Sequence, residues 1–234
     1  MRIDVLSLSP LFFQTPFQCG ILKRACEKNI LNINLIDIRD FTLDKHRKVD
    51  DRPYGGGPGM VLMAQPVCDA IRSVKQENSH VIYLSPQGQL LAAPVCRQLA
   101  QQDHLILLCG HYEGVDERVL KKEVHEEISI GNYVLTSGCI AAVVLIDSVA
   151  RFVPGVLGNE ASAEQDSFEK GILDMPHYTR PVNFEGSMVP DILTKGNHAE
   201  INRWRQQQAE SKTFQTRPEL VIHRRNSESM WREE

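Results

Sequence analysis

The sequence contains no CxxC pair and no cysteine–histidine cluster with zinc-ligand spacing. Its six cysteines are scattered at positions 19, 26, 68, 96, 109 and 139, so neither a zinc site nor a dithiol redox motif is expected, and no set of metal ligands stands out. Several cysteines sit in apolar runs, as Cys109 does in LILLCG, and they read as buried, reduced thiols. Long hydrophobic runs are also missing. The greasiest stretch, Cys139 to Ile146, is far shorter than a membrane span requires. The N-terminus, MRIDVLSLSP, lacks the basic start and apolar core of a signal peptide. A soluble cytoplasmic protein without a membrane partner is therefore expected. Charge of one sign is not in excess either. With 26 Lys and Arg against 30 Asp and Glu, the formal net charge is −4, which does not announce a nucleic-acid binder. No GxGxxG follows the first apolar run, and no complete P-loop, GxSxG elbow or HExxH helix occurs. Dinucleotide binding, P-loop phosphate chemistry, serine hydrolysis and zinc proteolysis lose their usual carriers.

What is present is an alternation of short apolar runs and amphipathic stretches. The 42% hydrophobic content of the 234 residues is ample for a core. Ile3 to Leu8, Leu31 to Ile38, Val81 to Leu84 and Leu105 to Cys109 read as strands. Gly20 to Asn29, Gln65 to Gln76, Asp116 to Glu123 and Ile140 to Phe152 read as helices, with a further helical pattern between the last two strands. Strands alternating with helices imply a parallel sheet covered on both faces, an α/β fold. Two segments break the rhythm. Asp40 to Gly59 is long and aperiodic, and the glycines and prolines of DDRPYGGGPGM argue against regular structure there. The second break, 154–166, is rich in small and polar residues and reads as a mobile interdomain linker. It divides a domain spanning 1–153 from a small, mainly helical one spanning 167–234, in which Asn197 and Glu200 resemble a capping box before HAEINRWRQQQAES.

Local charge departs from the global balance. Lys45, Arg47 and Lys48, with Arg52 nearby, form one basic cluster; Arg203 with Arg205 and Arg224 with Arg225 form two more. Taken singly they are solvated faces, but a fold that gathers them makes a phosphate-binding surface. Four loops at strand ends also stand out: SPQG at 85–88, GHYEGVDER at 110–118, SIGNYVLTSG at 129–138 and the glycine-rich loop before Met60. In a parallel sheet, loops at the carboxyl ends of strands build the ligand site.

The segments RDFTLDKHRKVDDRPYGGGPGM, VIYLSPQG, LCGHYEGVDERV, EEISIGNYVL, LIDSVARFVPGVLGNEASAEQDSF, PHYTRP and GNHAEINRWR occur in this order along the chain. The series resembles the bacterial TrmD family, tRNA (guanine-N1)-methyltransferases of the SPOUT class, from residue 1 to Leu220. The resemblance implies a deep C-terminal trefoil knot in the α/β domain, and S-adenosylmethionine held in the knot loops at a homodimer interface. The donor site carried over by motif comprises Tyr83, Leu84, Ser85, Pro86, Gln87, Gly110, Tyr112, Glu113, Ser129, Ile130, Gly131, Tyr133, Leu135 and Gly138. Glu113 would partner the donor's positive charge. Asp166 matches the family's general base and Arg151 its arginine. Arg52, Tyr54, His177, Tyr178, Arg180, His198 and Arg203 would face the tRNA, whose guanine just 3′ of the anticodon is the target. The family is described as Mg²⁺-dependent; the sequence offers no dedicated all-protein cage, and the ion would enter with the RNA. The helix from Ile140 to Phe152 fits a dimer interface and a buried core equally well.

The sequence departs from the family where GGELPA is usual: here Ser137-Gly138-Cys139-Ile140-Ala141-Ala142, and Asn132 replaces a usual aspartate. Two competing readings follow. One is a SPOUT methyltransferase acting on another RNA; the other is a non-catalytic knotted RNA-binding protein.

Overall fold

A computed structural model describes residues 1–158 and 166–221. The chain divides into two compact units, 1–158 and 159–234. The first holds a sheet of five strands, all parallel: β1 (Arg2–Ser7), β2 (Asn32–Asp37), β5 (Ser79–Leu90), β6 (His104–Cys109) and β7 (Glu126–Ser129), in the order β2-β1-β6-β5-β7. Two two-residue strands, β3 (Asp50–Asp51) and β4 (Val61–Leu62), pair antiparallel beside it. The segment 40–59 is therefore pinned at one point, rather than wholly irregular as its composition implies. The helices are α1 (Gly20–Glu27), α2 (Ala64–Val74), α3 (Ala93–Leu99), α4 (Glu117–Glu123) and α5 (Gly138–Ala150).

Period-two alternation of the strands explains two cores. Ile3, Val5, Ile82, Leu84, Leu105 and Leu107 face α1, α3 and α5. Leu6, Val81, Tyr83, Ile106 and Leu108 face α2 and α4. With both faces covered, β6 carries the unbroken apolar run LILLC rather than an alternating one. Strand β7 carries no such signal. Its sequence is EEIS, and only Ile128 and Ser129 are buried, so it was legible as a loop flank and not as a strand. All six cysteines are free; four are buried, while Cys26 is half-buried and Cys19 exposed.

Polar residues stitch the amino ends of four adjacent strands. The Asn34 amide donates to Asp4 Oδ1 at 2.7 Å, Asp4 Oδ2 meets His104 Nε2 at 2.8 Å, and His104 Nδ1 meets Ser79 Oγ at 2.7 Å. Asp4 is fully buried, and Arg2 caps it from the rim at 2.7 Å. A fully partnered row of this kind fixes strand register at little net cost.

A second buried carboxylate ties α4 to α2. Glu123 receives Arg72 Nε at 2.8 Å, Arg72 Nη2 at 2.6 Å and Lys75 Nζ at 3.2 Å. Burial raises its pKa, but the guanidinium and ammonium outweigh burial and hold it below the ordinary glutamate value. A depressed folded pKa gives stabilisation that is complete above the unfolded value and fades as pH falls through the folded one. Glu123→Gln is expected to cost roughly 2 kcal/mol at neutral pH. In urea melts the gap from wild type should close in acid; a pH-independent gap would contradict the ion pair.

The described residues of the second unit form one long helix, α6 (His198–Thr216), and a hairpin of two two-residue strands, β8 (Asn183–Phe184) and β9 (Ser187–Met188). The Asn197 side chain caps α6, accepting from Glu200 N–H at 3.4 Å. Between 166 and 197 the described residues form turns, a short 3₁₀ segment and the hairpin. Most of the linker assignment, 159–165, lies outside the described residues, as do Arg224 and Arg225. Among the described residues no helix is long and apolar enough to cross a membrane.

Candidate functional site

Three loops leave the carboxyl ends of β5, β6 and β7 and close on one another. Strand β5 is interrupted by the first. Leu84 and Gln89 both pair with Ile128, so Ser85 to Gly88 leave the ladder and return. Ser85 Oγ accepts from Gln87 N–H at 3.1 Å within this excursion. At its end Gly88 lies directly on the backbone of β7, and a Cβ there would overlap the Glu127–Ile128 peptide. The second loop, after β6, is tied to β4 and the residues before it. Glu113 N–H donates to Met60 O at 2.9 Å, Leu62 N–H to Gly114 O at 2.9 Å, and Asp116 N–H to Leu62 O at 3.0 Å. The glycine-rich segment thus ends against this loop, with the Glu113 side chain lying over Gly59. The third loop, after β7, folds on itself through Tyr133 Oη, which donates to Ile130 O at 3.2 Å. It then crosses the second. Gly138 N–H donates to Gly110 O at 2.7 Å, and a Cβ on Gly138 would sit 2.8 Å from Gly110 N.

The three loops enclose a cavity of about 210 Å³. All of the donor residues named from sequence line it: Tyr83, Leu84, Ser85, Pro86 and Gln87; Gly110, Tyr112 and Glu113; Ser129, Ile130, Gly131, Tyr133, Leu135 and Gly138. The donor set carried over by motif leaves out His111, Gly114, Ile128, Val134, Thr136, Ser137 and Ala141, which also line it. His111 lies inside a motif already singled out, so adjacency was the available signal. Burial pushes the Tyr83 phenol up to about 12, with the charge of Glu127 adding to the effect, so this wall stays neutral. Leu84, Pro86, Ile128, Ile130, Leu135 and Ala141 make an apolar slot with one carboxylate, Glu113, at its edge. That chemistry fits an adenine ring and a nearby positive charge.

Arg151 is the C-cap of α5, the helix that begins at the cavity. Asp166 opens a turn in the second unit, its carbonyl accepting from Glu169 N–H at 3.4 Å; no helix starts at Ser167. Arg52 and Tyr54 are exposed in the first unit. The basic cluster there is largely neutralised: Arg47 pairs with Asp40 and Asp37, and Lys48 with Asp51. In the second unit His177, Tyr178 and Arg180 line a cavity of about 760 Å³ together with Arg205, while His198 and Arg203 lie on α6 outside its lining. Tyr178 and Trp204 stand 6.4 Å apart, ring to ring. Among the described residues no group of three His, Cys, Asp or Glu side chains could hold a metal ion.

A family model described as tRNA (Guanine-1)-methyltransferase TrmD matches residues 1–223. A Protochlamydia amoebophila protein named tRNA (guanine-N(1)-)-methyltransferase is 61% identical over 221 residues, which is 94% of this chain and 100% of that protein. Proteins of the same name from Chlamydia pneumoniae and Chlamydia muridarum are each 58% identical, over 95% of this chain. The chain spans 62% and 63% of the length of these two.

Proposed function

The chain belongs to the TrmD family of tRNA (guanine-1)-methyltransferases, and on that premise we propose that it moves a methyl group from S-adenosylmethionine to N1 of the guanine immediately 3′ of the anticodon in tRNA. The observation that carries the donor half is the convergence of every motif-derived donor residue on one cavity at the carboxyl ends of parallel strands. Isothermal calorimetry with S-adenosylmethionine, followed by transfer to a tRNA transcript, tests it. Absence of donor binding would favour the non-catalytic RNA-binding protein, and transfer only to ribosomal RNA the other methyltransferase. The site of action would be the cytoplasm, where the tRNA is.

S-adenosylmethionine, when bound, supplies the methyl group. The protein's own groups do the rest. The apolar slot would take the adenine, and Glu113 would partner the donor's positive charge. Asp166 takes the N1 proton of guanine, and Arg151 offsets the negative charge that develops on the exocyclic oxygen. The RNA-side residues divide between Arg52 and Tyr54 in the first unit and His177, Tyr178, Arg180, His198 and Arg203 in the second. Any Mg²⁺ would arrive with the RNA. The close crossings at Gly88 and Gly138 support a trefoil knot, because a chain threaded through its own loops brings backbone against backbone.

The Ser137 departure leaves the donor pocket usable. Ser137 is the N-cap of α5, its Oγ accepting from Cys139 N–H at 3.4 Å, so it does structural work a glycine does only slightly less well. Ser137→Gly is expected to change donor affinity by less than about tenfold, or about 1.4 kcal/mol. Calorimetry showing a much larger gain would mean the native pocket is impaired.

The cavity is smaller than the about 300–1,000 Å³ of most ligand pockets, so one chain alone leaves a nucleoside-sized donor partly uncovered. Ile140 and Val144, one turn apart on α5, are exposed, as are Leu11 and Phe12 on the segment that packs beside it. A C2 homodimer through this face would cover them and complete the site. Ile140→Glu is expected to sediment as a monomer with donor affinity reduced at least about tenfold. A stable, fully active wild-type monomer would contradict the dimer.

A further inference from the structure

The cavity of the second unit, about 760 Å³, falls within the about 300–1,000 Å³ that ligand sites usually occupy. Part of its lining is apolar. Val182 and Val189, joined across the hairpin by the bond from Val189 N–H to Val182 O at 2.9 Å, line it together with Leu193 and Ile201. The rest is aromatic and cationic. Tyr178, half exposed, stands against Trp204 of α6, and Arg180 and Arg205 are both exposed.

No carboxylate lines this cavity. Among the described residues, neither Arg180 nor Arg205 has a carboxylate within ion-pair distance. Other arginines of the chain are neutralised: Arg217 pairs with Glu219 in the same unit, and Arg47 with Asp40 in the first. Two uncompensated guanidinium groups at one cavity favour an anion, and a planar, forked donor suits phosphate. An apolar lining beside an aromatic face favours a flat ring. A ribonucleotide offers both.

We propose that this cavity is a second nucleotide site, which takes one unstacked anticodon-loop base other than the target guanine against Tyr178 and holds the adjoining phosphates with Arg180 and Arg205. The inference rests on the tRNA reading. The target guanine must reach the donor in the first unit, so the base held here is a different one. Single-stranded loop bases are those a protein can splay out and stack on an aromatic ring. Stacking tolerates any base, because each has a flat face, so the site adds affinity rather than base identity. A loop already opened at one base has less stacking to break at the target.

The test uses the full chain, without donor, and an anticodon stem–loop transcript as the probe. Tyr178→Ala should weaken its binding about tenfold, while Tyr178→Phe, which keeps the ring, should bind like wild type. Arg180→Ala and Arg205→Ala should each weaken binding and lower the slope of log affinity against log salt by roughly one. Ultraviolet cross-linking read by mass spectrometry should join Tyr178 or Trp204 to one loop nucleotide that is not the target guanine. Wild-type affinity in Tyr178→Ala, a cross-link from these rings to the target guanine, or a wild-type protein that leaves the stem–loop unbound would overturn the proposal. Should Tyr178→Ala fail to fold, the wild-type cross-link decides alone, and its absence overturns the site. Methyl transfer to the whole tRNA is read separately. Transfer without the stem–loop results sinks the nucleotide site only; the stem–loop results without transfer sink the methyltransferase reading and leave the site standing.

Discussion

Asp166→Ala should slow single-turnover methyl transfer at least ~10²-fold while leaving donor binding nearly intact. Guanine N1 carries a proton and is a poor nucleophile until that proton leaves. A carboxylate positioned to accept it as the methyl arrives contributes about 10²–10⁴-fold. The proton's departure moves negative charge onto the exocyclic oxygen, where a fixed guanidinium stabilises the transition state more than the ground state. Arg151→Ala should therefore also slow transfer, with some loss of tRNA affinity. tRNA binding that positions Asp166 would couple recognition to chemistry. A purely structural Asp166 would behave differently. Its backbone carbonyl, which the turn uses, survives the substitution, and transfer at saturating donor and tRNA would be unchanged.

The second large effect is on folding. Gly88→Ala should destabilise the first unit by roughly 3 kcal/mol, the upper end of what overpacking costs. The added methyl would fall within the backbone of Glu127 and Ile128, which has no rotamer by which to yield. Either β7 leaves the sheet or the 85–88 excursion is displaced, and both walls of the cavity move. Urea unfolding measures the loss, and a variant as stable as wild type would show that the crossing is looser than described.

Much of the first unit was legible because buried parallel strands write themselves as apolar runs: VIYL and LILLC fall in β5 and β6. Strand β7 was not legible, since two glutamates open a four-residue element whose place is set by pairing with β5. The basic cluster at 45–48 was visible as charge, but its neutralisation by Asp37, Asp40 and Asp51 depends on how the loop folds back. Composition and spacing pointed only to glycine-rich loops at strand ends. The individual donor residues came from the order of the motifs. Cys139 illustrates what neither route reached. In sequence it is a departure from a pattern, and its partners Ser7 and His111 stand 132 and 28 positions away. Only the packing of α5 against β1 and β6 brings them together.

The central claim is methyl transfer to one guanine in tRNA, and the most direct measurement is a paired transfer assay. Two transcripts of the same tRNA, carrying guanine or adenine immediately 3′ of the anticodon, are incubated with the protein and labelled S-adenosylmethionine. The guanine transcript should acquire one methyl group at N1 of that base and the adenine transcript none. Equal methylation of both, or methylation elsewhere in the molecule, would contradict it.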